Sequence, residues 1–148
     1  MTDYLLDTDI VSASSPTKAA YERHFVGWVE ERSVRLYLSA VTIAEITTGT
    51  AKLKREHPGR RAKALAEWLE SVVVTYGNRV LPVDVEIALG AGKRVDLLRS
   101  RGHQPGLPDA AIAATAIRHG LTVVTRNTRH FRVFDVPLLD PFDEAFRT

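Results

Sequence analysis

Cysteine is missing from all 148 residues, which excludes disulfides and thiolate-held metal alike. That absence alone leads to the expectation of a reducing compartment. No uninterrupted apolar stretch approaches the roughly 20 residues needed to cross a bilayer. No basic segment precedes an apolar one at the amino end, so nothing there reads as an export signal. The expectation is a cytoplasmic protein with no membrane partner. An excess of one charge is missing too: 20 basic residues face 18 acidic ones, and a net charge of +2 does not establish a nucleic-acid partner by itself. Aromatic residues make up only 7%, against a hydrophobic fraction of 45%, the balance of an ordinary globular chain. There is no internal repeat and no low-complexity tract. The length suits a single domain, residues 1–148, able to bury a core without staples.

What is present, and unusual, is acid inside apolar sequence. Asp7 lies in Tyr4-Leu5-Leu6-Asp7-Thr8-Asp9-Ile10. Glu45 lies in Val41-Thr42-Ile43-Ala44-Glu45-Ile46, and Asp109 in Leu107-Pro108-Asp109-Ala110-Ala111-Ile112. A carboxylate in such surroundings is expensive to bury without compensation. One could be a cap or a buried hydrogen bond; three suggest a shared counter-ion. The cheapest one for converging carboxylates is a divalent cation such as Mg²⁺ or Mn²⁺.

The periodicity predicts an alternation of strands and helices. Strands are expected at 4–7, 34–38, 80–83, 121–125 and 136–139. Asp9 or Ser12 is the expected cap of a short helix after the first. A helix over 18–31 carries Tyr21, Phe25, Trp28 and Val29 on one stripe. Another begins at Val41, capped by Ser39 and weakened by Gly49, ahead of a charged stretch, 52–61, broken at Pro58-Gly59. A helix over 61–76, with Leu65, Trp68, Leu69, Val72 and Val73 on its buried stripe, stops at Gly77. Helices over 84–101 and 108–119 end at Gly102 and Gly120, and Pro108 suits a first helical turn. The pattern implies an α/β fold: a mainly parallel sheet of four to five strands with helices on both faces. Such sheets place their sites beyond the carboxyl ends of the strands. Asp7, Glu45, Asp109 and Asn127 are all expected near that rim.

The segments Leu5-Leu6-Asp7-Thr8-Asp9, Ser39 to Ile46, Leu107 to Ala116 and Val123-Val124-Thr125-Arg126-Asn127-Thr128-Arg129-His130-Phe131 resemble, in order, the four signatures of PIN-domain ribonucleases. The branch they look like is that of the VapC/FitB toxins of type II toxin–antitoxin pairs. The resemblance spans nearly the whole chain; each motif is weak alone, and the four together are specific. It implies the PIN fold and a metal-dependent endoribonuclease. Asp7, Glu45 and Asp109 would form the acidic set around Mg²⁺ or Mn²⁺, and Asn127 stands where many relatives carry a fourth acid. At His130 many relatives have Asp, so this rim is less negative than usual. The resemblance also implies a homodimer, a cognate antitoxin of the VapB/FitA kind, an RNA substrate, and operator DNA met only through the antitoxin.

The chemistry follows from the residue types. Like charges this close do not all stay ionised without a cation. A metal-activated water attacking in line would leave 5′-phosphate and 3′-hydroxyl ends. Asn127 can offer a neutral carbonyl or orient that water, and Thr8 can bond a phosphate or a carboxylate. Arg126, Arg129, Arg132, Lys52, Lys54, Arg55, Arg60 and Arg61 are candidates for contacts to the RNA backbone. Plainer roles stand beside these. Asp7 suits a helix cap, Glu45 a solvated helix face, Asp109 the positive end of a helix, Asn127 a turn, and His130 a solvent-facing position. Two competing functions remain: a catalytically weak PIN-fold binding module acting in a co-repressor complex, and a phosphohydrolase using the Asp7-Thr8-Asp9 spacing. The second lacks its accompanying lysine and later acidic pair.

Overall fold

A computed structural model describes residues 1–16 and 23–143. Within them lie strands β1 (Tyr4–Leu6), β2 (Leu36–Ser39), β3 (Val80–Leu81), β4 (Thr122–Val124) and β5 (Leu138–Leu139). The helices are α1 (Thr8–Ser12), α2 (Arg23–Glu31), α3 (Ala40–Glu56), α4 (Arg60–Tyr76), α5 (Val85–Ser100), α6 (Leu107–His119) and α7 (Thr128–Arg132). The strands form one sheet in the order β3-β2-β1-β4-β5, with every pairing parallel. The expected α/β sheet is therefore present, and β1 is its central strand. The chain builds outward from β1 in both directions, so the strand order reverses there. That reversal opens a crevice at the carboxyl ends of β1 and β4.

Alternation along the strands sends successive residues to opposite faces. Leu5 and Val123 pack on one face with α5, α6, Phe131 and Phe134. Leu6, Leu36, Leu38 and Val124 pack on the other with Ile10, Phe25, Trp28, Ile46 and Val72. Helix α6 is buried almost all round, from Ala110 to Ala116, because it lies between the sheet and α5. Its small side chains allow that close approach. Asp109 sits in the first turn of this apolar rod.

Several boundaries differ from expectation. Helix α1 is capped by Asp7, the plainer role read for that residue, and not by Asp9 or Ser12. Residues 33–35 form a 3₁₀ turn, which delays β2 to Leu36. Ser39 caps α3 as expected, accepting from the Val41 N–H at 3.1 Å. Gly49 does not interrupt α3, which runs on to Glu56 because Lys52, Lys54 and Arg55 are good helix formers on an exposed face. Strands β3 and β5 are two residues each, shorter than expected, since pairing with β2 and β4 sets their length. On α4, Val72 is buried but Val73 is 43% exposed, because consecutive positions turn away from the core. Of the predicted α2 stripe, Phe25 and Trp28 are buried; Tyr21 lies outside the described residues. No helix among the described residues is long and apolar enough to cross a membrane.

Candidate active site

The Asp7 N–H still donates to the Val124 carbonyl at 2.9 Å, so the ladder carries this residue to the edge of the sheet. Its side chain is fixed from two sides. Oδ1 accepts from the Thr8 N–H at 2.8 Å, which caps α1. Oδ2 accepts from the Thr125 hydroxyl at 2.9 Å, just past the end of β4. That hydroxyl oxygen accepts in turn from the Asn127 N–H at 2.9 Å. Asp7 is only 5% exposed, and burial, with the charge of Asp9 beside it, pushes its carboxyl up to about 7.

Asp9 is the neighbour that sequence reasoning undervalued. Its Oδ2 accepts from the Arg126 N–H at 3.2 Å and the Asn127 side-chain amide at 3.3 Å. Its Oδ1 is buried and reached by no N–H or hydroxyl. The Asp7 carboxyl lies beside it, and the two acids act on each other's affinity for protons. Burial pushes Asp9 above its ordinary range as well. The Asp7-Thr8-Asp9 spacing was the available signal.

Asp109 reaches the same rim from α6. Burial first, then the charges of Asp7 and Glu45, push it up to about 6; His130 opposes that rise. Glu45 comes from the first turns of α3 and is exposed. The Thr8 hydroxyl donates to its Oε1 at 2.7 Å and lies 3.1 Å from the buried Thr42 hydroxyl. Thus Asp7, Asp109 and Glu45 share one electrostatic neighbourhood. Asn127 joins the rim through Asp9, by a route the sequence did not suggest. Thr125 and Thr42, ordinary β-branched core residues by sequence, serve as the hydroxyls that hold this cluster.

Among the described residues, no three His, Asp or Glu side chains close tightly enough to hold a metal ion as they stand. The donor type nevertheless fits a hard divalent cation: the groups are carboxylates with a neutral amide and hydroxyls around them. Burial and neighbouring acid charges hold two of the carboxyls well above their ordinary range, and among the described residues one buried oxygen lacks a donor.

Two hollows flank the acids. One, of about 420 Å³, is lined by Thr8 and Glu45 together with Lys52, Arg61 and Trp68. The other, of about 500 Å³, is lined by Asp109 and His130 together with His103, Gln104 and Arg129. Lys52, Arg61 and Arg129 are therefore placed beside the rim. Arg126 lies 4.5 Å above the Phe142 ring. Lys54, Arg55, Arg60 and Arg132 are exposed and line neither hollow.

Residues 4–136 match the model of the PIN domain family. The chain is 33% identical over 142 residues to Toxin FitB of Neisseria gonorrhoeae, covering 95% of this chain and 99% of that one. It is 32% identical over 143 residues to VapC ribonuclease Y4jK of Sinorhizobium fredii, with coverage of 95% and 99%. A solved structure of FitAB bound to an IR36 DNA fragment contains a chain that superposes with a TM-score of 0.81 at 32% identity, covering 95% of this chain and 96% of that one.

Proposed function

This chain belongs to the PIN-domain family, and from that premise we propose that it is a ribonuclease toxin of the VapC and FitB kind, held in check by its own antitoxin. The reaction is hydrolysis of RNA phosphodiester bonds, leaving 5′-phosphate and 3′-hydroxyl ends. The observation that carries the reading is that three carboxylates, from just past β1 and from α3 and α6, share one electrostatic neighbourhood at the edge where the strand order reverses. The charges of Asp7 and Glu45 both raise the affinity of Asp109 for protons, so bringing the three together costs the fold unless a cation offsets them.

Asp7 and Asp109 are the proposed ligands of Mg²⁺ or Mn²⁺, with Glu45 acting directly or through water. When bound, the cation polarises a phosphoryl oxygen and makes its water a better nucleophile. The chain's own groups do the positioning. Thr125 and the Thr8 N–H hold the Asp7 carboxylate by its two oxygens. The Thr8 hydroxyl orients Glu45. Asn127 and Asp9 tie the start of α7 to the start of α1, which keeps β4 and β1 in step at the rim. Lys52, Arg61 and Arg129 supply the positive field that draws a phosphate backbone toward an acidic pocket. An antitoxin arginine would mimic the cation's charge among the same carboxylates. Operator DNA is met through the antitoxin, as part of a complex built on a homodimer of this chain.

The test is growth after induction of wild type and Asp109→Asn, with end-mapped sequencing of cellular RNA. Growth arrest by wild type alone, with new 5′-phosphate ends at defined sites, is the expected result. Equal arrest by both, with no new ends, would show that the carboxylates are not the agent and that the chain acts as a binding module.

A further inference from the structure

The two hollows beside the acids are not equivalent. The one on the α3 side opens past Glu45 and Thr8. The one on the α6 side shares Asp109 with the rim and lies between the loop before α6 and the segment from α7 onward. A chain of RNA whose phosphate rests on the carboxylates would thus have one hollow on either side of it.

The α6-side hollow has the chemistry of a base pocket. Its volume, about 500 Å³, lies within the range of sites that enclose small ligands. Phe134 and Val133 give it an apolar wall. His103, His130 and Arg129 offer flat imidazole and guanidinium faces, the groups on which unstacked RNA bases stack. The Gln104 amide offers both a donor and an acceptor to a base edge. The ion pairs among the described residues engage Arg32, Arg35, Arg55 and Arg118, so Arg129 is left available. His103 and Gln104 are exposed on the loop before α6. We propose that this hollow seats the base of the nucleotide next to the cleaved linkage and sets the enzyme's preference at that one position. The proposal rests on the ribonuclease reading and adds to it the place where sequence is read.

The experiment compares wild type with His103→Ala and Gln104→Ala, singly and together, on a pool of randomised single-stranded oligoribonucleotides with Mg²⁺. Both substitutions are at exposed loop positions that are not among the proposed metal ligands, and melting temperature checks the fold. The expected result is a loss of preference at a single nucleotide beside the cut, with KM raised about ten-fold and kcat falling less than KM rises. Wild-type cleavage with the same preference and KM in all variants would overturn the base pocket and leave the ribonuclease reading intact. Unchanged RNA parameters with weakened antitoxin binding would reassign the hollow to a protein partner. No cleavage of any RNA by wild type would remove the ribonuclease reading itself, and the pocket with it.

Discussion

Replacing Asp7 by Asn separates the charge of this residue from its shape. Asn caps a helix about as well as Asp does, so the Thr8 N–H keeps its acceptor. The new amide takes the place of Oδ2, where the Thr125 hydroxyl can turn from donor to acceptor. The amide also brings an N–H donor beside Asp9, whose Oδ1 otherwise has no partner among the described residues. In metal-free wild type, burial holds the Asp7 carboxyl at about 7 against an ordinary 3.8. The folded state thus keeps a proton that the unfolded chain gives up. Stability is highest below the unfolded value and falls as pH rises through the folded one. The full difference is roughly 4 kcal/mol, which for a chain of this size corresponds to about 10 °C in melting temperature. Asn has no such ionisation. In chelator at pH 8, Asp7→Asn is expected to melt roughly 10 °C above wild type, while near pH 4 the two nearly coincide. Thermal unfolding followed by circular dichroism across that range measures the gap, and Mg²⁺ at pH 8 should narrow it by raising wild type alone. A gap that does not widen with pH, or a variant less stable than wild type at pH 8, would refute the reasoning.

Thr125→Val removes the hydroxyl that binds Asp7 and Asn127. It should cost about 1–2 kcal/mol in urea denaturation and push the Asp7 titration higher still. Asp9→Asn removes the charge that raises Asp7, so a carboxyl-carbon NMR titration should find Asp7 ionising at lower pH than in wild type. Phe131→Ala empties a position that is 1% exposed against the α6 side of the sheet. A loss of roughly 3–5 kcal/mol is expected by the same denaturation; a loss below about 1 kcal/mol would mean that α7 is not part of the core.

Much of the fold was legible because the sequence punctuates it. Gly77 and Gly120 end their helices at positive φ, and Ser39 begins one with its own side chain. Three acids at the ends of apolar runs pointed to the rim, because a parallel sheet leaves few other places for them. What stayed hidden depended on partners distant in sequence. The short lengths of β3 and β5 are imposed by their neighbours, not by their own residues. Asp9 resembled a helix cap, since nothing local says that Asp7 faces it or that its donors come from Arg126 and Asn127. Thr125 resembled strand filler for the same reason. The continuation of α3 through Lys52 to Glu56 was obscured by taking charge as a sign of loop.

Each bond that ties the rim together across β1 and β4 spans more than a hundred residues: Thr125 to Asp7 and Asn127 to Asp9 are both 118 apart in sequence. The central strand precedes β4 by more than a hundred residues and stays without that partner until β4 has been made. Contacts so remote form late, after the loops between them have closed. A ribosome translating this chain therefore carries, for most of the process, a product that lacks the hydroxyl holding its first acid and the strand that seats it. Synthesis interrupted before β4 yields fragments in which Asp7 has neither its Thr125 partner nor the strand beside it.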